Sequence, residues 1–406
     1  MKANILIRIA ALGALLLSAA ACVFPFPVEA DQDGDLPLVI EGDLKIGGTT
    51  TVSVSHVRPL KKGSGAVGNF SVEGYVEGED GTRVEGQSQV WGSEKRRISF
   101  DTGQLRGDQR YRLHLETVSG SNGKKEVVES DWLTVTQAPV IDDLSYSHHP
   151  EFEELWIGLS MHCPGEHHFR WSFNEEWEYH SDELSSLYCR KENGKVIDFH
   201  MPVKYYCWSS KNSGKINIFS TANQTDDRFE ELAFHSIPLR DLRLQTMYRL
   251  TVRLSAMSED AYNYWYNIQQ NSEGQGSIFS TTPSEMSSNL HCLTNPSQQI
   301  IGFLSAAAEV TSRIIYDNSL NNYYIKGTPI ASLEEFEALN DSTTNMSWLS
   351  RGYLPYSGRS DGSTDILEVV TWIPRQCTDC TVQGGSPIAP EDWPTGHKNY
   401  IVDERY

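Results

Sequence analysis

From Leu38 onward apolar residues recur at every second position: Thr50, Val52 and Val54, then Phe70, Val72 and Val76, Ile98 and Phe100, and Tyr111, Leu113 and Leu115. A period of two puts one face of a strand in a core and the other in water, so these runs specify β-strands. Gly-Gly, Asp80-Gly81 and Ser-Gly-Ser-Asn-Gly break them at short intervals, as hairpin turns require. About seven strands fit between Leu38 and Val135, enough for an antiparallel sandwich. Leu105 precedes Tyr111 by six residues, the spacing of a tyrosine corner, in which the phenol bonds back to upstream backbone. The first domain, residues 36–137, is therefore expected to be an immunoglobulin-like β-sandwich.

The spacing recurs. Leu105-Arg106 to Tyr111-Arg112-Leu113 is echoed by Leu242-Arg243 to Tyr248-Arg249-Leu250, with Val252 and Leu254 continuing the alternation. The echo proposes further sandwich structure after the linker Gln137-Ala138-Pro139, so residues 138–406 form a larger β-rich domain. Its early strands are expected at Leu155–Leu159 and at Phe169–Phe173, with Trp171 turned inward. The whole is mainly β, with one or two short helices.

One helix is expected from Ser258 to Gln270: Ser258 can cap it, Glu259 and Asp260 suit its N-terminal end, and no glycine intervenes before Gly274. Tyr262, Trp265 and Tyr266 would make its packing face. Tyr264 falls off that face and becomes a candidate partner contact. A short helix at Leu333–Leu339 is expected from the capping box Ser332/Glu335, and further strands at Gly276–Phe279 and Ile300–Leu304.

The start of the chain reads as an export signal. Lys2 and Arg8 precede an uncharged run, Ile9–Leu17, which ends in Ser18-Ala19-Ala20-Ala21 before Cys22. That run is too short for the roughly 30 Å hydrocarbon core of a bilayer. Residues 1–21 are thus expected to be a signal peptide and Cys22 the lipid-modified first residue of a bacterial lipoprotein. Residues 22–35, with Pro25, Pro27 and the acids Glu29, Asp31, Asp33 and Asp35, read as an extended acidic tether. Asp31–Asp35 starts like a calcium loop but has Leu36 where the turn glycine belongs.

The formal charge is −20, and removing Lys2 and Arg8 makes it −22. Nucleic acid is therefore a poor partner, since its binding needs a basic patch. Of seven cysteines, Cys163, Cys189, Cys207, Cys292, Cys377 and Cys380 remain once Cys22 is assigned to lipid. In an exported chain these six are disulfide candidates, all expected in the second domain, with at least two bridges, one of them using Cys377-x-x-Cys380. A redox or zinc role for that motif is the alternative.

Catalytic signatures are sparse. Glu175, Glu176, Glu178, Asp182 and Glu183 are abundant enough to supply a glycosidase pair, but an acidic cluster is usually a solvated face. With Trp171, Trp177 and Tyr179 beside it, Glu176 is a possible carbohydrate or calcium contact. His148-His149, His162 and His167-His168 cluster locally, yet neighbours on a strand point to opposite faces and no H-E-x-x-H occurs. No cofactor or metal is expected, nor nucleophilic or nucleotide chemistry.

Leu38–Gly42 after the lipoprotein cysteine, Leu254–Tyr262, Gly276–Phe279 with Pro283 and Asn289, and Gly302–Ala306 carry a family resemblance, as does the C-terminal block of Cys377–Cys380, Gly384-Gly385 and Trp393. Together they resemble DUF4249, a family of bacterial outer-membrane lipoproteins. The resemblance implies an immunoglobulin-like N-terminal domain, a larger β-rich domain, and gene neighbourhood with TonB-dependent transporters, but no catalytic residues. It leads to the expectation of a non-enzymatic lipoprotein, anchored in the outer membrane on either face, that serves as an accessory or ligand-capture subunit of a TonB-dependent transporter. A glycan hydrolase built on Glu176 and a purely structural envelope protein are the alternatives.

Overall fold

The computed structural model describes residues 37–57, 70–92, 95–120, 123–184, 190–192, 195–198, 204–223, 227–273, 288–321, 350–360 and 367–399. The expected signal peptide and tether, Cys22, Cys189, the strand at Gly276–Phe279 and the helix at Leu333–Leu339 lie outside them.

The first half contributes β1 (Leu38–Glu41), β2 (Leu44–Ile46), β3 (Thr49–His56), β4 (Phe70–Gly78) and β5 (Arg83–Glu85). It continues with β6 (Gln87–Trp91), β7 (Lys95–Asp101), β8 (Arg110–Ser119), β9 (Lys125–Ser130) and β10 (Leu133–Thr136). Then come β11 (Val140–His149), β12 (Glu154–His162), β13 (His168–His180) and the hairpin β14 (Arg190–Glu192) with β15 (Lys195–Asp198). They are followed by β16 (Tyr206–Asn212), β17 (Asn217–Ser220), β18 (Arg228–Pro238) and β19 (Met247–Ala256). Helix α1 (Glu259–Glu273) leads to β20 (Leu290–Cys292), β21 (Ile300–Ile301) and β22 (Ala306–Asp317), and the hairpin β23 (Tyr353–Ser360) with β24 (Leu367–Pro374) precedes the C-terminal segment.

The protein is mainly β, as the alternation requires. One layer of the N-terminal sandwich runs β21-β1-β3-β7-β6; the facing layer, with β4, β5, β8, β9 and β10, is one end of a twelve-stranded sheet. Their inward residues Ile40, Val52, Val54, Val72, Val76, Ile98, Phe100, Leu113 and Leu115 are at most 1% exposed and form one core. Tyr111 forms the expected corner: its hydroxyl donates to the Arg106 carbonyl at 2.9 Å and accepts the Arg106 N–H at 2.7 Å. Gly86 lets a strand change layers, because β5 pairs with β4 and β6 with β7. A Cβ there would stand 2.5 Å from Ile98, so only glycine fits the crossing.

The boundary expected at residue 137 is crossed. β20 pairs with β9, β21 runs parallel to β1, and Ala306–Ala308 of β22 run parallel to β2, with Ala306 and Ala307 also beside β10. Leu290, Cys292, Ile300, Leu304 and Ala306 accordingly belong to the N-terminal core. The remainder of β22 pairs with β19, so this one strand joins both halves of the large sheet. Neither register nor partner of such a strand is written in its own alternation, and three small alanines let it slot between neighbours on both sides.

In the second sandwich β11-β12-β18 faces β16-β13-β19-β22. Leu155, Ile157, Leu159, Met161, Phe169, Leu250, Val252 and Leu254 fill the space between. Trp171 is half-buried in that core, as expected, with its ring 5.3 Å edge-on from Phe219.

Candidate functional site

The acidic cluster falls on β13, whose alternation splits it. Glu175, Trp177 and Tyr179 turn toward the sandwich core, while Glu176 and Glu178 lie on the opposite face. Glu175 is 3% exposed and accepts hydrogen bonds from His235 Nε2 at 3.0 Å, Arg243 Nη1 at 2.5 Å and the Tyr248 hydroxyl at 2.9 Å. Burial alone would raise its pKa, but His235, Arg243 and Tyr248 outweigh burial and hold it below the usual carboxylate range. Arg243 is held in turn by Asp241 at 2.7 Å. The echoed tyrosine is thus not a second corner: its hydroxyl binds a buried carboxylate where Tyr111 binds backbone.

Glu176 stands opposite Arg249 in the β13–β19 register and accepts a two-pronged bond from it, at 2.8 and 2.9 Å. Arg249 also binds Asp392 at 3.0 Å and lies 4.9 Å above the Trp393 ring. Glu178 is wholly buried and accepts from Trp393 Nε1 at 2.6 Å, Thr395 Oγ1 at 2.7 Å and His397 Nδ1. Glu183 accepts from the Tyr356 hydroxyl at 3.0 Å. Glu175 and Glu176 therefore engage cations on opposite sides of a sheet, an arrangement that offers no common substrate position between them.

The other expected contact residues are structural as well. Trp177 is half-buried, and Tyr179, 1% exposed, donates to the Cys380 carbonyl at 3.0 Å and accepts the Gly385 N–H at 3.1 Å. Tyr264 is 7% exposed and stacks on Phe303 at 5.3 Å, which corrects its assignment as a free contact. In α1 Ala261 and Tyr264 are buried and Tyr262, Trp265 and Ile268 pack half-buried against them, so Tyr262 and Trp265 of the expected face do pack, and Tyr264 joins them. Tyr266, 44% exposed, is the open aromatic.

Among the described cysteines, Cys207 and Cys380 form a disulfide across 173 residues, so the C-x-x-C motif does supply a bridge, though to a distant strand. Cys163 and Cys292 are buried thiols, which corrects their assignment as disulfide candidates. Burial pushes Cys163 up to about 11, and Cys292 lies in the N-terminal core, outside the domain in which all six were expected. Cys377 is buried beside Ile373. Among the described residues no three His, Cys, Asp or Glu side chains converge as metal ligands.

A small cavity of about 110 Å³ lies where the sandwiches meet, lined by Asp43, Lys45, Arg170, Arg253, Ser305 and Glu309. Its charges are paired: Arg170 with Asp43 at 2.7 Å and Lys45 with Glu309 at 3.1 Å. A larger hollow of about 460 Å³ is bounded by Trp132, Thr136, Asp260, Asn289 and Phe303. Arg243, Arg249, His235 and His397, the partners of the acids, carry no sequence motif that marks them as such. Two of them, Arg243 and Arg249, lie within the echoed Leu242-Arg243 to Tyr248-Arg249-Leu250 spacing.

A family model for DUF4249, a domain of unknown function, matches residues 23–313. The chain belongs to the DUF4249 family. No curated protein matches this DUF4249 chain in sequence. Among solved structures it is similar to a DUF4785 family protein from Legionella pneumophila, at 8% identity and a TM-score of 0.22, over 53% of this chain and 52% of that one. It is also similar to DIP-gamma IG1+IG2, at 12% identity and a TM-score of 0.15, over 54% and 87%. The DUF4249 chain thus spans about half the length of the Legionella protein, and neither likeness carries a functional argument.

Proposed function

We propose that this DUF4249 protein is an exported lipoprotein, anchored through Cys22 in the outer membrane, that works by binding rather than catalysis as an accessory or ligand-capture subunit of a TonB-dependent transporter. The observation that carries the reading is the state of its acids and cysteines taken together. Glu175, Glu176 and Glu178 are each spent on structural partners, and the Cys207–Cys380 bridge suits an oxidising compartment. The Ala19-Ala20-Ala21-Cys22 stretch supports the anchor, and the family resemblance supports the transporter. A glycan hydrolase built on Glu176 draws no support from a carboxylate gripped at both oxygens by Arg249.

Purification from native membranes in mild detergent, with mass-spectrometric identification of what accompanies the protein, tests the reading. It expects a TonB-dependent transporter at near-stoichiometric yield. A protein that elutes alone at native abundance and low salt contradicts it.

A further inference from the structure

The tip of the β11–β12 hairpin carries an aromatic arrangement apart from the acidic cluster of β13 and the disulfide. The His149 ring stacks on Trp156 with centroids 4.0 Å apart, and Phe152 lies 5.8 Å from Trp156 with planes only 9° apart. Phe152 is 60% exposed, a large apolar ring held in water. The indole is fixed by its N–H, which donates to Glu154 at 2.8 Å, and His149 is fixed by Ser147 at 3.1 Å and Glu151 at 3.2 Å.

The turn that presents Phe152 is strained. Glu153 has φ +53°, its carbonyl accepts the Leu239 N–H at 2.8 Å, and Arg240 grips its carboxylate at 3.1 and 3.3 Å. Only one other non-glycine residue among those described has a positive φ, Glu231 at +51°, and it borders the same face: its backbone packs over Gly158 and its N–H donates to Ser160 at 3.0 Å. Because Leu155 and Ile157 turn inward, Trp156, Gly158 and Ser160 share the outer face of β12. Backbone strain of this kind collects at binding sites. Glu153 adjoins the aromatic shelf directly, while Glu231 lies further along the same face of β12, beside Gly158 and Ser160.

We propose that this shelf is a saccharide-binding platform for an uncharged sugar ring. The exposed Phe152 ring, with the face of Trp156 that His149 leaves open, suits the polarised C–H groups of a pyranose. The carboxylates of Glu151, Glu153 and Glu154 at its rim are oriented by His149, Arg240 and Trp156 and keep further lone pairs to accept from sugar hydroxyls, and three acids against the one Arg240 cation leave the rim negative, which disfavours uronate or phosphate groups. The site names a ligand class for the capture role and rests on that reading for its purpose.

The test is isothermal calorimetry of the full chain carrying Cys22→Ser, against maltoheptaose, cellohexaose, xylohexaose and chitohexaose, with polygalacturonate as the charged control. At least one neutral oligosaccharide should bind, Phe152→Ala should weaken it at least tenfold with an unchanged melting temperature, and Trp156→Ala should abolish it. The proposal is overturned if none of the four binds, if polygalacturonate is preferred, or if binding survives in the double variant. Sugar binding without transporter co-purification would remove the transporter and keep the platform; co-purification without sugar binding would do the reverse.

Discussion

At the scale of single residues the acids of β13 illustrate how environment decides role. Glu175 carries a charge that burial opposes and His235, Arg243 and Tyr248 secure, so its folded-state pKa lies below the ordinary value near 4.3. A depressed carboxylate contributes stability that is fully present above the unfolded pKa and is lost as pH falls through the folded one. Glu175→Gln should therefore lower stability at pH 7 by about 3 kcal/mol, since it leaves Arg243 short of a buried counter-charge, and should flatten the decline below about pH 4.3. Urea titrations at pH 7, 5 and 3.5 read both effects; parallel acid limbs for the two proteins would contradict the assignment. Abundance of acids was legible in the sequence, but their partners were not, because His235, Arg243, Arg249 and His397 come from 60, 68, 73 and 219 residues away.

Elements were more legible than residues, because periodicity is local. Tyr111 was found through its spacing from Leu105, and its two bonds to Arg106 are each worth about 0.5–1.5 kcal/mol. Tyr111→Phe should cost about 1–3 kcal/mol in a urea titration, whereas loss below about 0.5 kcal/mol would mean that packing alone holds the corner. Gly86→Ala should destabilise by about 1–3 kcal/mol, because its methyl meets Ile98 and Phe100 at the point where the strand changes layers. A wild-type melting curve for that variant would show the crossing to be loose. Helix α1 was legible in extent and in Tyr262 and Trp265 of its packing face, but not in the exchange of Tyr266, which is open, for Tyr264, which is buried against Phe303. Edge pairing was not legible at all: nothing in Ala306–Ala308 states that β2 and β10 lie beside it.

Across the whole molecule, distant segments close units that begin near the N-terminus. Residues 290–306 complete the first core, and Cys380 ties the C-terminal segment to Cys207 of β16. A bridge over 173 residues removes much unfolded-state freedom, worth about 5 kcal/mol in the chain-entropy model. Cys207→Ser should therefore lower the melting temperature clearly, and equal melting with and without reductant would deny the bridge a stabilising role. Mainly β architecture followed from alternation, whereas the closure of the first sandwich by later strands depends on long-range pairing that no local pattern encodes. The proposed transporter role presupposes export and anchoring. The intact mass of the mature N-terminal peptide, taken from the natively expressed protein, tests that directly: a chain that starts at an acylated Cys22 is expected, and recovery of unmodified Cys22, or of residues 1–21 still attached, would contradict it.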